Sequence, residues 1–161
     1  IASLTITAII RTLIGLVPVS LFAIPLFGVS IYELGFILFG LLINLHIFGI
    51  TLGIFVSSGL IRYGPAFENI AWATLFLLAP LGCIYYPIEI LPDWLQTVAK
   101  SLPLVYIFEE VRNILIYQTY SVINIFKATM ITFLYFSTAV FIFCIAFENS
   151  REKGTLMNMG E

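Results

Sequence analysis

Charged residues are scarce in this chain, at 10% of 161 residues. Soluble domains carry about 25% charged residues, so an ordinary soluble fold is excluded. The chain is instead 61% hydrophobic, which is typical of an integral membrane protein. Its net charge of −2 supplies no basic surface for nucleic acid, so we expect no nucleic-acid partner.

Side chains that carry chemistry are also few: two cysteines and one histidine. The chain contains neither the GxxxxGK[ST] phosphate loop nor an HExxH zinc motif. We therefore predict no catalytic residue, no metal site and no cofactor site in this chain. Cys83 and Cys144 are predicted near opposite membrane surfaces. A disulfide needs Cα atoms within about 7 Å, so we expect none between them.

Long apolar runs predict an all-α membrane protein with four transmembrane helices. A bilayer core about 30 Å thick needs roughly 20 apolar residues per helix. Suitable runs cover approximately 4–27, 34–57, 65–85 and 122–147. A turn at 28–33 and a loop at 58–64 are expected between the first three spans.

The second predicted span carries His46, Gly49 and Gly53 on one face. Two small residues four apart favour close helix packing, so we predict this face as a packing surface. A histidine at mid-membrane depth is either a functional group or a neutral imidazole bonded to a neighbouring helix, and we favour the second reading. Asn44 points the opposite way and is expected to bond between helices.

Between the third and fourth spans lies a stretch divided by Pro87, Pro92 and Pro103. Proline suits the first turn of a helix, where its missing N–H is not needed. We predict two short amphipathic helices at 92–102 and 103–117. The first has an apolar face formed by Leu91, Leu95, Val98 and Leu102. Both are too short or too charged to cross, so the pair is expected to lie in, or dip into, one membrane interface.

Glu109 and Arg112 stand three residues apart on the second of these helices. The spacing suits an ion pair on one helical face. Glu110 also falls largely away from the apolar face of this helix. Acid–base catalysis by Glu109, Glu110 and Arg112 is the alternative, and we favour the structural interpretation.

The strings PLGCIYYPIEILPDW and LPLVYIFEEVR resemble the late outer segment of ABC-2-type transporter permeases, the membrane subunits of ATP-driven exporters. The resemblance implies six spans and a dimer with a second copy or a related permease. It also implies a partner ATPase that binds ATP and Mg and drives alternating access. The remaining expected partner is membrane lipid. Family substrates include drugs, lipids and polysaccharides. The resemblance covers the last four spans, so we expect the first two to be missing here.

The resemblance also suggests site residues. By region, it assigns the pathway lining to the third span here, with Trp72, Phe76 and Pro80 as candidates. Candidates for an outer gate are Tyr86, Pro87, Glu89, Pro92, Glu109 and Arg112. Basic residues divide four to three between the two sides, which agrees weakly with a cytoplasmic C-terminus and a multi-pass location in the inner (plasma) membrane.

A membrane-embedded enzyme or assembly factor is the alternative function. It would use the four spans as a scaffold and bring polar groups together at one depth. The mid-span candidates His46 and Asn44 lie on opposite faces, which favours a transport subunit.

Overall fold

The computed structural model describes residues 2–27 and 35–152, so the predicted turn at 28–33 and the end of the tail lie outside the described residues. Within those two ranges the regular secondary structure is all helical. The α-helices are α1 (Ala2–Phe27), α2 (Gly35–Tyr63), α3 (Phe67–Leu81), α4 (Asp93–Ala99), α5 (Pro103–Tyr117) and α6 (Val122–Glu152), and a 3-10 turn covers Ile88–Ile90.

Two helices, α2 and α6, form the centre of the fold and run in the same direction. Near their first turns Leu41 of α2 shares a buried cluster with Ala128 of α6. One turn on, the Asn44 side-chain amide donates to the Thr129 hydroxyl at 2.8 Å. Near their last turns the Ser150 hydroxyl donates to the Ile61 carbonyl at 3.4 Å. This register extends along both helices. We call the end at α4 and α5 the hairpin end and the opposite end the elbow end.

The α2–α6 seam depends on small side chains on α6. The residues that α6 buries are Ala128, Thr132, Ala139, Ala146 and Ser150. Their spacings of four and seven keep them on one helical face, and small side chains let two helices approach closely. The face that α2 buries includes Leu41, Asn44, Phe48, Thr51 and Ser58. Phe48 meets Tyr135 of α6 edge to face, with ring centroids 6.0 Å apart.

The predicted packing face of α2 is not the one that packs within this chain. Gly49 and Gly53 are exposed, and a Cβ added at either position would meet nothing within 4 Å. The Asn44 face packs instead, because it fits the small-residue face of α6. His46 is half-buried beside α1, where the Thr12 hydroxyl lies 3.5 Å from its Nε2. Packing of the two glycines against another helix stays a prediction.

The predicted loop at 58–64 is wrong, because α2 continues to Tyr63. The reversal into α3 is made at Gly64, which has a φ of +73°, a backbone conformation that favours glycine. We call the segment 59–67 the elbow. At Gly59 an added Cβ would lie only 2.2 Å from the Phe67 ring. The absence of a side chain at Gly59 therefore lets α3 start directly against α2.

Helix α3 is shorter than the predicted span 65–85. Its 15 residues extend about 22 Å at 1.5 Å per residue. The helix ends at Leu81 because Pro80 lies in its last turn and because Cys83 adopts a left-handed φ of +53°. The predicted first hairpin helix, 92–102, is also shorter, since α4 covers only Asp93–Ala99.

The two short helices begin where the prolines predict, and we call α4 and α5 together the hairpin. The buried face of α4 differs from the predicted one at one residue. Pro92 is the N-cap of α4, and Pro103 opens α5. Leu102 is buried, but Val98 is 47% exposed. In the buried face of α4 the place expected for Val98 is taken by Ala99, which is fully buried in a cluster with Cys83, Ile88 and Val105. The short side chain of Ala99 lets α4 rest closely on the connection that follows α3.

By length and apolar composition, two described helices are able to cross a membrane, Gly35–Tyr63 and Val122–Glu152. At 29 and 31 residues they measure about 43 and 46 Å, which exceeds a bilayer core of about 30 Å. Both cysteines are free, with Cys83 buried and Cys144 exposed.

Candidate functional site

The most elaborate polar arrangement in the described residues lies where α3 ends and α5 passes it. The Arg112 guanidinium donates through Nη1 to Glu109 Oε1 at 2.6 Å. Through Nη2 it donates to two backbone carbonyls, those of Cys83 at 2.9 Å and Tyr86 at 3.0 Å. Glu109 Oε1 also accepts the backbone N–H of Ile88 at 3.2 Å. We call Glu109, Arg112 and these three backbone groups the clamp.

The clamp forms hydrogen bonds with backbone groups that lie outside a helix because α3 ends before the predicted limit of its span. A carbonyl without a partner is costly wherever water is scarce. Gly82 N–H donates to the Leu78 carbonyl at 2.7 Å and Cys83 N–H to the Pro80 carbonyl at 3.1 Å. The Tyr86 hydroxyl also donates to the Pro80 carbonyl, at 2.8 Å. Arg112 completes the set, because its planar fork presents several donors at fixed angles.

The predicted ion pair between Glu109 and Arg112 is confirmed, with both side chains 22% exposed. Its role goes beyond a helix-surface pair, since both partners also bind the backbone of the α3–α4 connection. Exposed pairs contribute about 0–1 kcal/mol, whereas hydrogen bonds to charged groups contribute about 1.5–3 kcal/mol each. The backbone contacts thus add to what the ion pair alone contributes.

A second carboxylate, Glu110, is expected away from the apolar face of α5, but it is fully buried in the structure, with 0% of its surface exposed. Its Oε1 accepts the backbone N–H of Ser121. Its Oε2 accepts the Asn124 side-chain amide at 3.2 Å. Ser121 immediately precedes α6, so this carboxylate lies at the positive end of the α6 macrodipole. The signal available in the sequence was the polar pair Ser121 and Asn124 at the start of an apolar helix.

The adjacent carboxylates Glu109 and Glu110 on α5 therefore bind two different segments of the chain. Glu109 binds the connection after α3, and Glu110 binds the start of α6. Side chains of successive helical residues point about 100° apart, because 3.6 residues make one turn. The EExR part of the FEEVR string consequently joins three segments of the chain at one level of the hairpin.

Of the remaining gate candidates, Tyr86 contributes its carbonyl to the clamp, and Pro87, Glu89 and Pro92 surround it. Pro87 is the N-cap of the 3-10 turn, and Tyr86 is half-buried. Glu89 and Pro92 are exposed. The structure therefore brings Glu109, Arg112 and Tyr86 together, while Glu89 and Pro92 lie on the outside of the hairpin.

The pathway candidates lie along the open side of α3. Trp72 is 56% exposed and Phe76 is 77% exposed, and Pro80 is exposed as well. They do not line the apolar cavity of about 280 Å³ that lies behind α3. That cavity is bounded by α2, α3 and α6, with Phe48, Leu52, Ala71, Leu75 and Tyr135 among its lining residues.

Groups that would perform catalysis do not converge in the described part of the chain. His46 lies near Thr12, whereas Asn44 bonds to Thr129 on another helix. Across residues 2–27 and 35–152, no group of three or more His, Cys, Asp or Glu side chains is placed to hold a metal ion. The clamp is an arrangement that binds backbone and joins helices.

Comparison with protein families shows the family of the chain. The model of the ABC-2 type transporter family matches residues 1–116, which is most of the 161-residue chain. The chain belongs to the ABC-2 type transporter family. It is accordingly a transmembrane transport permease, and the resemblance in the hairpin is confirmed. Comparisons with curated proteins and with solved structures give no match.

Proposed function

We propose that this ABC-2 protein is the membrane subunit of an ATP-driven exporter. A separate ATPase subunit binds ATP and Mg, and the permease pairs with a second copy or a related permease. Hydrolysis in the partner moves the permease between inward- and outward-facing states. The observation that carries the proposal is the family match over residues 1–116, which includes all of α1 to α4 and most of α5.

The proposed topology has four spans in the inner (plasma) membrane, with the hairpin outside and the C-terminus in the cytoplasm. The parallel α2 and α6 and the reversal at Gly64 support three of the crossings, α2, α3 and α6. Helix α3 is shorter than a bilayer core, so non-helical backbone completes its crossing. Such backbone is tolerated at membrane depth where it is buried in protein and bonded, and the clamp supplies those bonds.

Basic side chains of the described residues lie at both ends, so they do not by themselves choose the orientation. Arg62 and Arg151 lie at the elbow end, which is cytoplasmic in the proposal. Lys100, Arg112 and Lys127 lie at the hairpin end. Lys127 is positioned to reach the interface, with its Nζ 5.8 Å from the Tyr106 ring centroid, as expected for a lysine whose stem lies in the apolar layer.

The test uses the protein with its cognate ATPase in intact cells and in vesicles, with Cys83→Ala and Cys144→Ser removing the native thiols. Single cysteines at Lys100 and Arg151 are treated with a membrane-impermeant maleimide. We expect labelling of Lys100→Cys from outside and of Arg151→Cys only from the cytoplasmic side. Labelling of both from one side would overturn the proposed topology.

A second arm tests alternating access without knowledge of the substrate. A cysteine replacing Trp72 or Phe76 is labelled from each side, before and after trapping of the ATPase with ATP and orthovanadate. The accessible side should change on trapping. Phe133→Cys, a similarly exposed position on α6, serves as the control and should not change sides. Unchanged accessibility at both α3 positions, in a complex that hydrolyses ATP, would refute the assigned pathway.

A further inference from the structure

Helix α5 belongs to two separate apolar clusters. On one side Ile107 and Ile114 pack with Leu41 of α2 and Ala128 of α6. On the other side Val105 packs with Cys83, Ile88 and Ala99, which belong to the connection after α3 and to α4. Among the described elements, α5 is thus the one that contributes to both clusters.

Each cluster also has a polar contact made by α5. Arg112 and Glu109 bind the backbone of the α3–α4 connection. Glu110 binds the start of α6 through Ser121 and Asn124. The route from the end of α3 to α6 therefore runs through α5, with hydrogen bonds at both junctions.

Between its ends, α3 is loosely held. Ala71 is the buried residue within α3, and the apolar cavity of about 280 Å³ separates part of α3 from α2 and α6. At the elbow end α3 is fixed by the close fit of Phe67 over Gly59. At the hairpin end it is fixed by the clamp.

We propose that Arg112 and Glu110 are positioning residues that fix the hairpin end of α3 to α6 through α5. Helices α2, α3, α5 and α6 then move as one body during transport, and the cavity behind α3 keeps its width. This inference rests on the proposed function for its role in transport, but the coupling itself is a property of the resting protein. Arg112 acts on α3 directly, whereas Glu110 acts on α3 only through α5.

The test measures distances between spin labels on α3 and α6 by pulsed electron paramagnetic resonance in lipid nanodiscs. The Cys83→Ala, Cys144→Ser background carries labels at exposed positions. The hairpin-end pair is Leu77 and Phe126, and the elbow-end pair is Ile70 and Asn149. Resting-state measurements need no ATPase, so they stay informative if the proposed exporter function is wrong.

Arg112→Gln is expected to broaden the distance distribution of the hairpin-end pair and to leave the elbow-end pair unchanged. Arg112→Lys keeps the charge opposite Glu109 but loses the planar fork, so an intermediate broadening is expected. Arg112→Lys also serves as the informative variant should Arg112→Gln fail to fold. Arg151→Gln is the matched control, because Arg151 pairs with Glu148 at the same i,i+3 spacing but lies at the other end.

Glu110→Ala separates coupling from a local role, since the two donors to Glu110, Ser121 and Asn124, both lie at the start of α6. Coupling through α5 predicts that it also broadens the hairpin-end pair. A distribution like that of the starting protein in both Arg112→Gln and Glu110→Ala would overturn the proposal. So would a shift of the hairpin-end distance in the unmutated complex on vanadate trapping, which would leave the exporter function intact and refute movement as one body.

Discussion

Removal of the Glu110 carboxylate is expected to destabilise the start of α6 more than any exposed charge does. Glu110 is 0% exposed and accepts two hydrogen bonds, from Ser121 and Asn124. Hydrogen bonds to a charged group contribute about 1.5–3 kcal/mol each. Glu110→Ala also leaves the Ser121 N–H without this acceptor, so we expect a loss of at least about 3 kcal/mol.

Glu110→Gln should cost much less. The Gln carbonyl still accepts from Ser121, and the Asn124 amide is able to rotate so that its oxygen faces the new NH₂ group. The loss is then the charge-assisted part of the two bonds and the interaction with the α6 macrodipole, about 1 kcal/mol. The predicted order of stability is therefore Glu, then Gln, then Ala.

The assay is thermal unfolding of the monodisperse protein in detergent, followed by tryptophan fluorescence and by size-exclusion chromatography. For a chain of this length, 1 kcal/mol corresponds to about 2–4 °C in Tm, so Glu110→Ala should lower Tm by about 6–12 °C. Glu148→Ala is the control, because that carboxylate is 49% exposed in its pair with Arg151. Equal Tm values for Glu110→Ala and Glu148→Ala would refute the inferred role of Glu110.

Two further substitution pairs test the packing. Gly59→Ala places a Cβ 2.2 Å from the Phe67 ring and should lower Tm. Gly53→Ala enters open space, so it should be neutral or gain up to about 1 kcal/mol of helix propensity. A Tm for Gly59→Ala at or above that for Gly53→Ala would contradict the elbow contact. Ala99→Glu buries an unpaired carboxylate in an apolar cluster and should cost several kcal/mol, while Lys100→Glu on the exposed face should cost far less. Comparable membrane abundance and Tm for these last two variants would contradict the observed seating of α4.

The hairpin was the most predictable part of the chain because local rules determine it. Proline fixes φ and removes a donor, so Pro92 and Pro103 mark helix starts whatever surrounds them. The Glu109–Arg112 pair follows from i,i+3 spacing alone. The carbonyl partners of Arg112 could not be predicted from the sequence. The turn at Cys83 is made by a non-glycine residue at positive φ, for which the sequence carries little signal. The buried position of Glu110 depends on where α6 begins relative to α5, and that is a tertiary relation.

The packing face of α2 could not be predicted from α2 itself. In water, an apolar stripe identifies the buried side of a helix; in lipid, an apolar face is equally well solvated on every side. The choice then depends on which partner permits close approach, and here that partner is α6. Its small residues at 128, 132, 139 and 146 are buried, and Leu41 of α2 packs with Ala128, so the buried face of α2 meets the small face of α6. The Gly49–Gly53 face has small residues but no bulky counterpart among the described helices. Complementarity between two helices, rather than small residues on one of them, therefore determines the seam.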